Sequence, residues 1–249
     1  MRIVGATHAG VKRSNNQDTF LCGETDWGGY LIVCDGMGGE RGGNVASAIA
    51  AETFRDMLLR DVSAGMSGRQ LRAVMTCAAA AANAAVFDAA KEDARLTGMG
   101  TTLVAAVVFG GCAVIIHAGD SRAYLLRDDV LTQLTTDHTF VQILVSRGDI
   151  TRKAASEHPQ RHYITRADGV QPELEFDFTD CALLPGDCLL LCSDGLYNEV
   201  PEEELAALTA VAARLGSPEG LIRRANENGG GDNITAVLAI FTQREGQHG

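Results

Sequence analysis

Apolar residues along this chain follow two alternating regimes. Short runs, many of them β-branched, occupy 2–8, 19–22 and 29–34, and again 101–109, 113–117, 123–126 and 130–134. Runs of that length bounded by Gly or Asp predict strands. The second group is closely spaced and joined by Gly or Asp-Asp turns, which predicts an antiparallel meander. Between the two groups the period changes. From Asn44, the residues Val45, Ala46, Ile49, Ala50, Phe54, Met57 and Leu58 share one helical face. Positions 70–94 are Ala-rich and apolar all round, which predicts a second, well-buried helix.

The second half repeats the alternation. Short helices are predicted at 137–148 and 151–157, with Asp137 and Thr151 as N-caps. Positions 158–168 are irregular and basic. Leu174, Phe176 and Phe178 alternate with Glu173, Glu175 and Asp177, the pattern of a half-exposed strand. Pro185-Gly186-Asp187 turns into the apolar run 188–192. Pro201 opens a helix whose first turn is acidic, which suits the helix dipole. Ser217-Pro218-Glu219 opens another, 234–241 is the last strand, and 242–249 is a polar tail. The order predicts an α+β protein with two antiparallel sheets packed face to face and helices outside. No Pro- or Ser-rich linker interrupts 1–241, so a single domain is expected.

Composition narrows the partners. The chain has 249 residues, 46% apolar and 21% charged, enough for a core without disulfide or metal staples. The net charge of −11 argues against nucleic acid and against an anionic membrane surface, and it is compatible with cations. The 7 cysteines form no CxxC pair, which fits reduced thiols of a cytoplasmic protein. The N-terminus has no signal-peptide core, and no apolar stretch of the roughly 18 residues a membrane span needs is expected.

Four apolar segments carry an Asp at one end: Asp35, Asp120, Asp194 and Asp232. Any one Asp-Gly or Gly-Asp is an ordinary turn dipeptide. Their repetition at the ends of apolar runs predicts carboxylates converging on one pole of a β-core, because a carboxylate there is costly unless paired. With oxygen donors only, the expected ligand is a hard cation, Mg²⁺ or Mn²⁺. Arg13 stands in a polar loop and can clamp a phosphate in a bidentate fork. The glycines at 36, 38, 39, 42 and 43 are not followed by Lys-Ser or Lys-Thr, so they are not a Walker A loop. Of the scattered histidines, His117 is expected in the core, and His138, His158 and His162 at the surface; none has triad partners.

In this order, Arg13-Ser14-Asn15-Asn16-Gln17-Asp18, Asp35-Gly36-Met37-Gly38-Gly39, Gly100-Thr101-Thr102, His117-Ala118-Gly119-Asp120-Ser121-Arg122, Asp137-His138, Ser193-Asp194-Gly195-Leu196 and Gly231-Asp232-Asn233-Ile234-Thr235 resemble the motif series of the bacterial metal-dependent protein phosphatases, the PPM or type 2C family. The resemblance implies a four-layer α-β-β-α sandwich, two antiparallel sheets flanked by pairs of helices. It implies hydrolysis of phosphoserine and phosphothreonine with two Mn²⁺ or Mg²⁺ ions. Asp35 would bridge the ions, the Gly36 carbonyl would bind one, and Asp194 and Asp232 would complete the other. Asp120, with Asp194, would match a weaker third site. Asp18 would hold a metal-bound water, Arg13 would bind the substrate phosphate, and about 137–165 would form the flap beside the site. Two close divalent ions create a bridging hydroxide near neutral pH, which attacks phosphorus in line.

The implied partners are phosphorylated proteins, a bacterial Ser/Thr kinase and its substrates, with the phosphatase a cytoplasmic monomer. A catalytically inactive, phosphoprotein-binding regulator of the same fold competes with this expectation, but such proteins usually lose metal carboxylates and none is missing here. A small phosphoester or a partner-switching regulator as substrate stays open. Three residues depart from the wider pattern: Met37, where many eukaryotic relatives have a His proposed as general acid, and His8 and Asp168.

Overall fold

The computed structural model describes residues 1–241; the predicted tail 242–249 lies outside the described residues. Its layers grow from the alternation along strand β3 (Gly28–Met37). Tyr30, Ile32 and Cys34 point under helices α1 (Gly39–Asp61) and α2 (Gly68–Glu92), where they meet Phe54, Leu58, Met75 and Val86. Leu31 and Val33 point the other way, into a core between two sheets.

The sheet containing β3 is ordered β2 (Asp18–Thr25), β3, β5 (Leu103–Phe109), β6 (Cys112–Ala118), β9 (Asp177–Ala182), with the two-residue β4 (Gly100–Thr101) beside the end of β3. The second sheet is ordered β1 (Arg2–His8), β11 (Ile234–Ile240), β10 (Cys188–Cys192), β7 (Arg122–Arg127), β8 (Val130–Gln133). Every registered pair is antiparallel. Val104, Ala106 and Ile115 of the first sheet meet Leu125, Leu189, Leu191 and Val237 of the second. The outer face of the second sheet, including Leu190 and Leu238, is covered by the short α5 (Asp194–Tyr197) and by α6 (Glu202–Leu215) and α7 (Glu219–Glu227) through Leu196, Leu205, Leu221 and Ile222. The result is the α-β-β-α sandwich. Each large aliphatic side chain buried in these layers contributes about 1.5–3 kcal/mol.

Four local departures have physical causes. Helix α1 starts at Gly39 rather than near Asn44, so the glycine-rich run is its first turn. The strand expected from Leu174 begins only at Asp177, opposite His117. Its partner β6 ends at Ala118, so the ladder stops there, and upstream Asn83 Nδ2 donates to the carbonyls of Gln171 and Pro172. Helix α3 (Phe140–Arg147) is capped by Thr139, whose Oγ1 accepts from Gln142 N, because Asp137 is engaged by Arg122. Thr151 caps α4 (Arg152–Ser156) as expected. Finally, α2 is long and apolar enough, by length and composition alone, to cross a membrane, contrary to the expectation that no segment is. Here its Leu71, Met75, Ala79, Ala82 and Val86 are packed inside the protein.

Candidate active site

The inter-sheet face of β3 runs Leu31, Val33, Asp35, so the apolar core ends in a carboxylate where the sandwich opens. Asp18 lies directly opposite Asp35 in register and shares that face. The second sheet supplies the other wall. Asp194 follows the end of β10, Asp232 precedes β11, and Asp120 stands between β6 of the first sheet and β7 of the second. Arg13, Asp35, Gly36, Asp120, Asp194 and Asp232 line one cleft of about 730 Å³. Asp18 lies beneath it, 8% exposed.

Each group is held by neighbours the fold brings from elsewhere. The Asp35 amide donates to Thr102 Oγ1 at 2.9 Å, and the Asp35 carbonyl accepts from the Thr102 amide and from Thr101 Oγ1, each at 2.9 Å. Ser193 Oγ and Thr235 Oγ1 both donate to Asp18 Oδ2 at 2.6 Å. The Asp120 carbonyl accepts from the Tyr197 hydroxyl, and Arg122 lies 3.5 Å over the Tyr197 ring while clamping Asp137. Asn233 fastens the Arg13 loop: its Nδ2 donates to the carbonyls of Ala9 and Asn15, and its Oδ1 accepts from the Gln17 amide. Glycine is required at Gly36, because any Cβ there would overlap the Gly43 carbonyl.

Packing this many carboxylates together raises the cost of charge. Burial pushes Asp18 up to about 6 and Asp120 up to about 7, and neighbouring carboxylates add to both. Asp35 and Asp194 are pushed well above the usual carboxylate range, first by burial and then by the surrounding Asp residues. Among the described residues, Asp18 Oδ1 and Asp120 Oδ1 are buried with no hydrogen-bond partner. All-oxygen and densely anionic, with two of its buried oxygens unpartnered, this donor set fits hard divalent cations.

Arg13 reaches into the cleft and pairs with Asp232 at 2.8 Å. His162 is exposed, as expected, and it also borders the site. It lines the cleft, with Nδ1 3.9 Å from Asp194 Oδ2. Met37 lines both this cleft and a neighbouring groove bounded by Ile164, Arg166, Val170 and Leu174. His8 accepts from the Gly10 amide and so shapes the turn into the Arg13 loop. Asp168 is fully buried behind the site, pairs its backbone with Thr101, and leaves both carboxylate oxygens without a partner. Burial raises its pKa well above the usual range.

A second polar cluster lies at the root of the flap. His117 stacks on His138 at 4.6 Å, and donor atoms of these two and Asp177 lie within 4.8 Å of one another. His117 is buried as expected, but His138 is buried too, and not at the surface. The Gly119 amide donates to His138 Nδ1, and His138 Nε2 lies 3.2 Å from both Asp177 Oδ2 and the Arg166 guanidinium. Arg166 donates to the same carboxylate at 2.9 Å. The protein's own guanidinium supplies the cation here, and the cluster ties the flap to β9.

Comparison with known proteins places this arrangement. The family model for protein phosphatase 2C matches residues 4–227. The serine/threonine phosphatase stp of Listeria innocua is 38% identical over 234 residues, covering 93% of this chain and 92% of that one. The crystal structure of the Mycobacterium tuberculosis serine/threonine phosphatase PstP/Ppp superposes with a TM-score of 0.84 at 37% identity, covering 97% of this chain and 99% of that one. A structure of the PstP catalytic domain in complex with 2 manganese ions superposes with a TM-score of 0.81 at 36% identity, over 97% of this chain and 98% of that one.

Proposed function

Since the chain belongs to the protein phosphatase 2C family and is a metal-dependent serine/threonine phosphatase of phosphorylated proteins, we propose how its own residues divide that work. Asp35, Asp194 and Asp232, with the Gly36 carbonyl, would hold two divalent ions, Mn²⁺ or Mg²⁺, and Asp120 with Asp194 would offer a weaker third position. The observation that carries this is the convergence of carboxylates from four separate chain segments on one cleft, with buried oxygens on Asp18 and Asp120 left unpartnered. The pair of manganese ions in PstP supports it.

Bound divalent ions would supply Lewis acidity and an activated water at neutral pH. The protein residues do the rest. Asp18, fixed through Oδ2 by Ser193 and Thr235, keeps Oδ1 free to accept a hydrogen bond from water entering the cleft. Arg13 turns from Asp232 to the phosphoryl oxygens, where its planar fork neutralises charge as the phosphorus–oxygen bond breaks. Met37 cannot donate a proton, so the leaving alkoxide takes one from solvent or from another side chain of the cleft. No Cys or Ser nucleophile is required.

The phosphatase opposes a bacterial Ser/Thr kinase, acts as a monomer and works in the cytoplasm. The bacterial serine/threonine phosphatase relatives support the first, the acidic surface the second, and the free thiols among the described residues the third. Phosphate release from a phosphothreonine peptide is the test. Release with Mn²⁺ or Mg²⁺ that stops with EDTA is expected. No release from folded, metal-loaded protein would leave a binding-only regulator.

A further inference from the structure

The flap carries one side chain into the metal cleft whose chemistry differs from all the carboxylates around it. The His162 imidazole lines the cleft beside Asp120 and Asp194, with Nδ1 3.9 Å from Asp194 Oδ2. Its position is set by tethers on the residues that follow it. The Phe140 amide donates to the Tyr163 carbonyl and the Thr165 amide to the His138 carbonyl, each at 2.8 Å, and Arg166 is held by Asp177. Asp194 is in turn oriented by Asn198, whose Nδ2 donates to the same Oδ2 at 3.0 Å.

Two ligands each about 2.1 Å from a shared ion lie about 3 to 4 Å apart, so the observed separation suits an imidazole and a carboxylate on one cation. It is too long for a hydrogen bond. A neutral imidazole offers a ring-nitrogen lone pair to a cation. Resting on the carboxylate assignment above, we propose that His162 is a nitrogen ligand of the ion held at Asp194, and that it biases this centre toward first-row transition ions such as Mn²⁺ over Mg²⁺. Mg²⁺ takes oxygen ligands in strict octahedral geometry and sheds its waters reluctantly, whereas first-row transition ions accept an imidazole beside carboxylates, Mn²⁺ the most weakly of the series. Ion binding then also fastens the flap over the cleft, because the ligand belongs to the flap.

Pulsed electron paramagnetic resonance of the Mn²⁺-loaded full chain tests this directly. The native protein should show ¹⁴N coupling to manganese, and His162→Ala should lose it. The same variant should bind Mn²⁺ about tenfold more weakly while its Mg²⁺ affinity, measured by competition, changes less than about twofold. His162 is 55% exposed, so the variant keeps its fold. His162→Asp should recover ion affinity without the nitrogen signal and shift preference toward Mg²⁺. Bound Mn²⁺ with no ¹⁴N coupling, coupling that persists in His162→Ala, or equal weakening for both ions would each overturn the proposal while leaving the carboxylate site intact. Failure of Mn²⁺ to bind at all would instead remove the carboxylate assignment, and this proposal with it.

Discussion

Asp168 shows what single residues cost in this protein. A carboxyl group with both oxygens buried and unpartnered is held neutral, and the neutral group still lacks hydrogen bonds. Replacing it with an apolar side chain in the same extended conformation should help: Asp168→Val is expected to raise stability by about 1–3 kcal/mol. Because the folded-state pKa is raised, its contribution to stability falls as pH rises from the unfolded value near 4 through the folded one. The advantage of Val should therefore be larger in thermal melts at pH 8 than at pH 5. Asp194 makes the opposite point. Asp194→Ala should lower phosphatase activity by about 100-fold or more, yet leave the metal-free fold at least as stable, since one member of a mutually repelling cluster is gone. Full retained activity would remove Asp194 from the metal site. Asp35, Asp120, Asp194 and Asp232 were legible in the sequence because each stands at one end of an apolar run. Asp18 was legible only through the family resemblance: it ends a polar loop, and nothing local says that it begins a strand opposite Asp35.

Elements in this fold are held by side chains arriving from distant positions, and that is where the sequence misleads. The alternation at 173–178 is genuine, but β6 ends at Ala118, so β9 finds its partner only from Asp177, opposite His117. The position of His162 depends on pairing between 139–140 and 163–165, which no periodicity announces. The flap is anchored at its root by the His138–Asp177–Arg166 cluster. Asp177→Ala should speed amide hydrogen exchange across 140–165 by about tenfold while shifting the global melting temperature little, since the affected contacts lie outside the three apolar layers. The Arg13 loop has its own anchor. Asn233→Ala removes three hydrogen bonds to that loop and should raise KM for a phosphopeptide severalfold, with a smaller effect on Mn²⁺ affinity. Equal losses in both would mean that Asn233 serves the metal site and not the loop.

At the scale of the whole molecule, the sandwich works as a frame that forces carboxylates together at one open end. Two packed antiparallel sheets with helices outside were readable from the alternation of strand and helix periods, and the family resemblance implied the helices on both faces; the structure buries both faces of each sheet accordingly. The frame stores unfavourable electrostatics: Asp18, Asp35, Asp120 and Asp194 all have raised pKa values. For raised carboxylates the stabilising contribution is full below about pH 4 and is lost as pH climbs through the folded-state values. Chelator-treated protein should therefore lose melting temperature between pH 5 and pH 8, and added Mn²⁺ should restore more at pH 8 than at pH 5. A pH-independent effect of Mn²⁺ would mean that the ions bind elsewhere. The most direct test of the shared-carboxylate centre is calorimetric titration of Mn²⁺ into the native chain and into Asp35→Asn. Two tight ions in the native chain and none in a folded Asp35→Asn variant are expected; a variant that still binds both ions tightly would contradict the account.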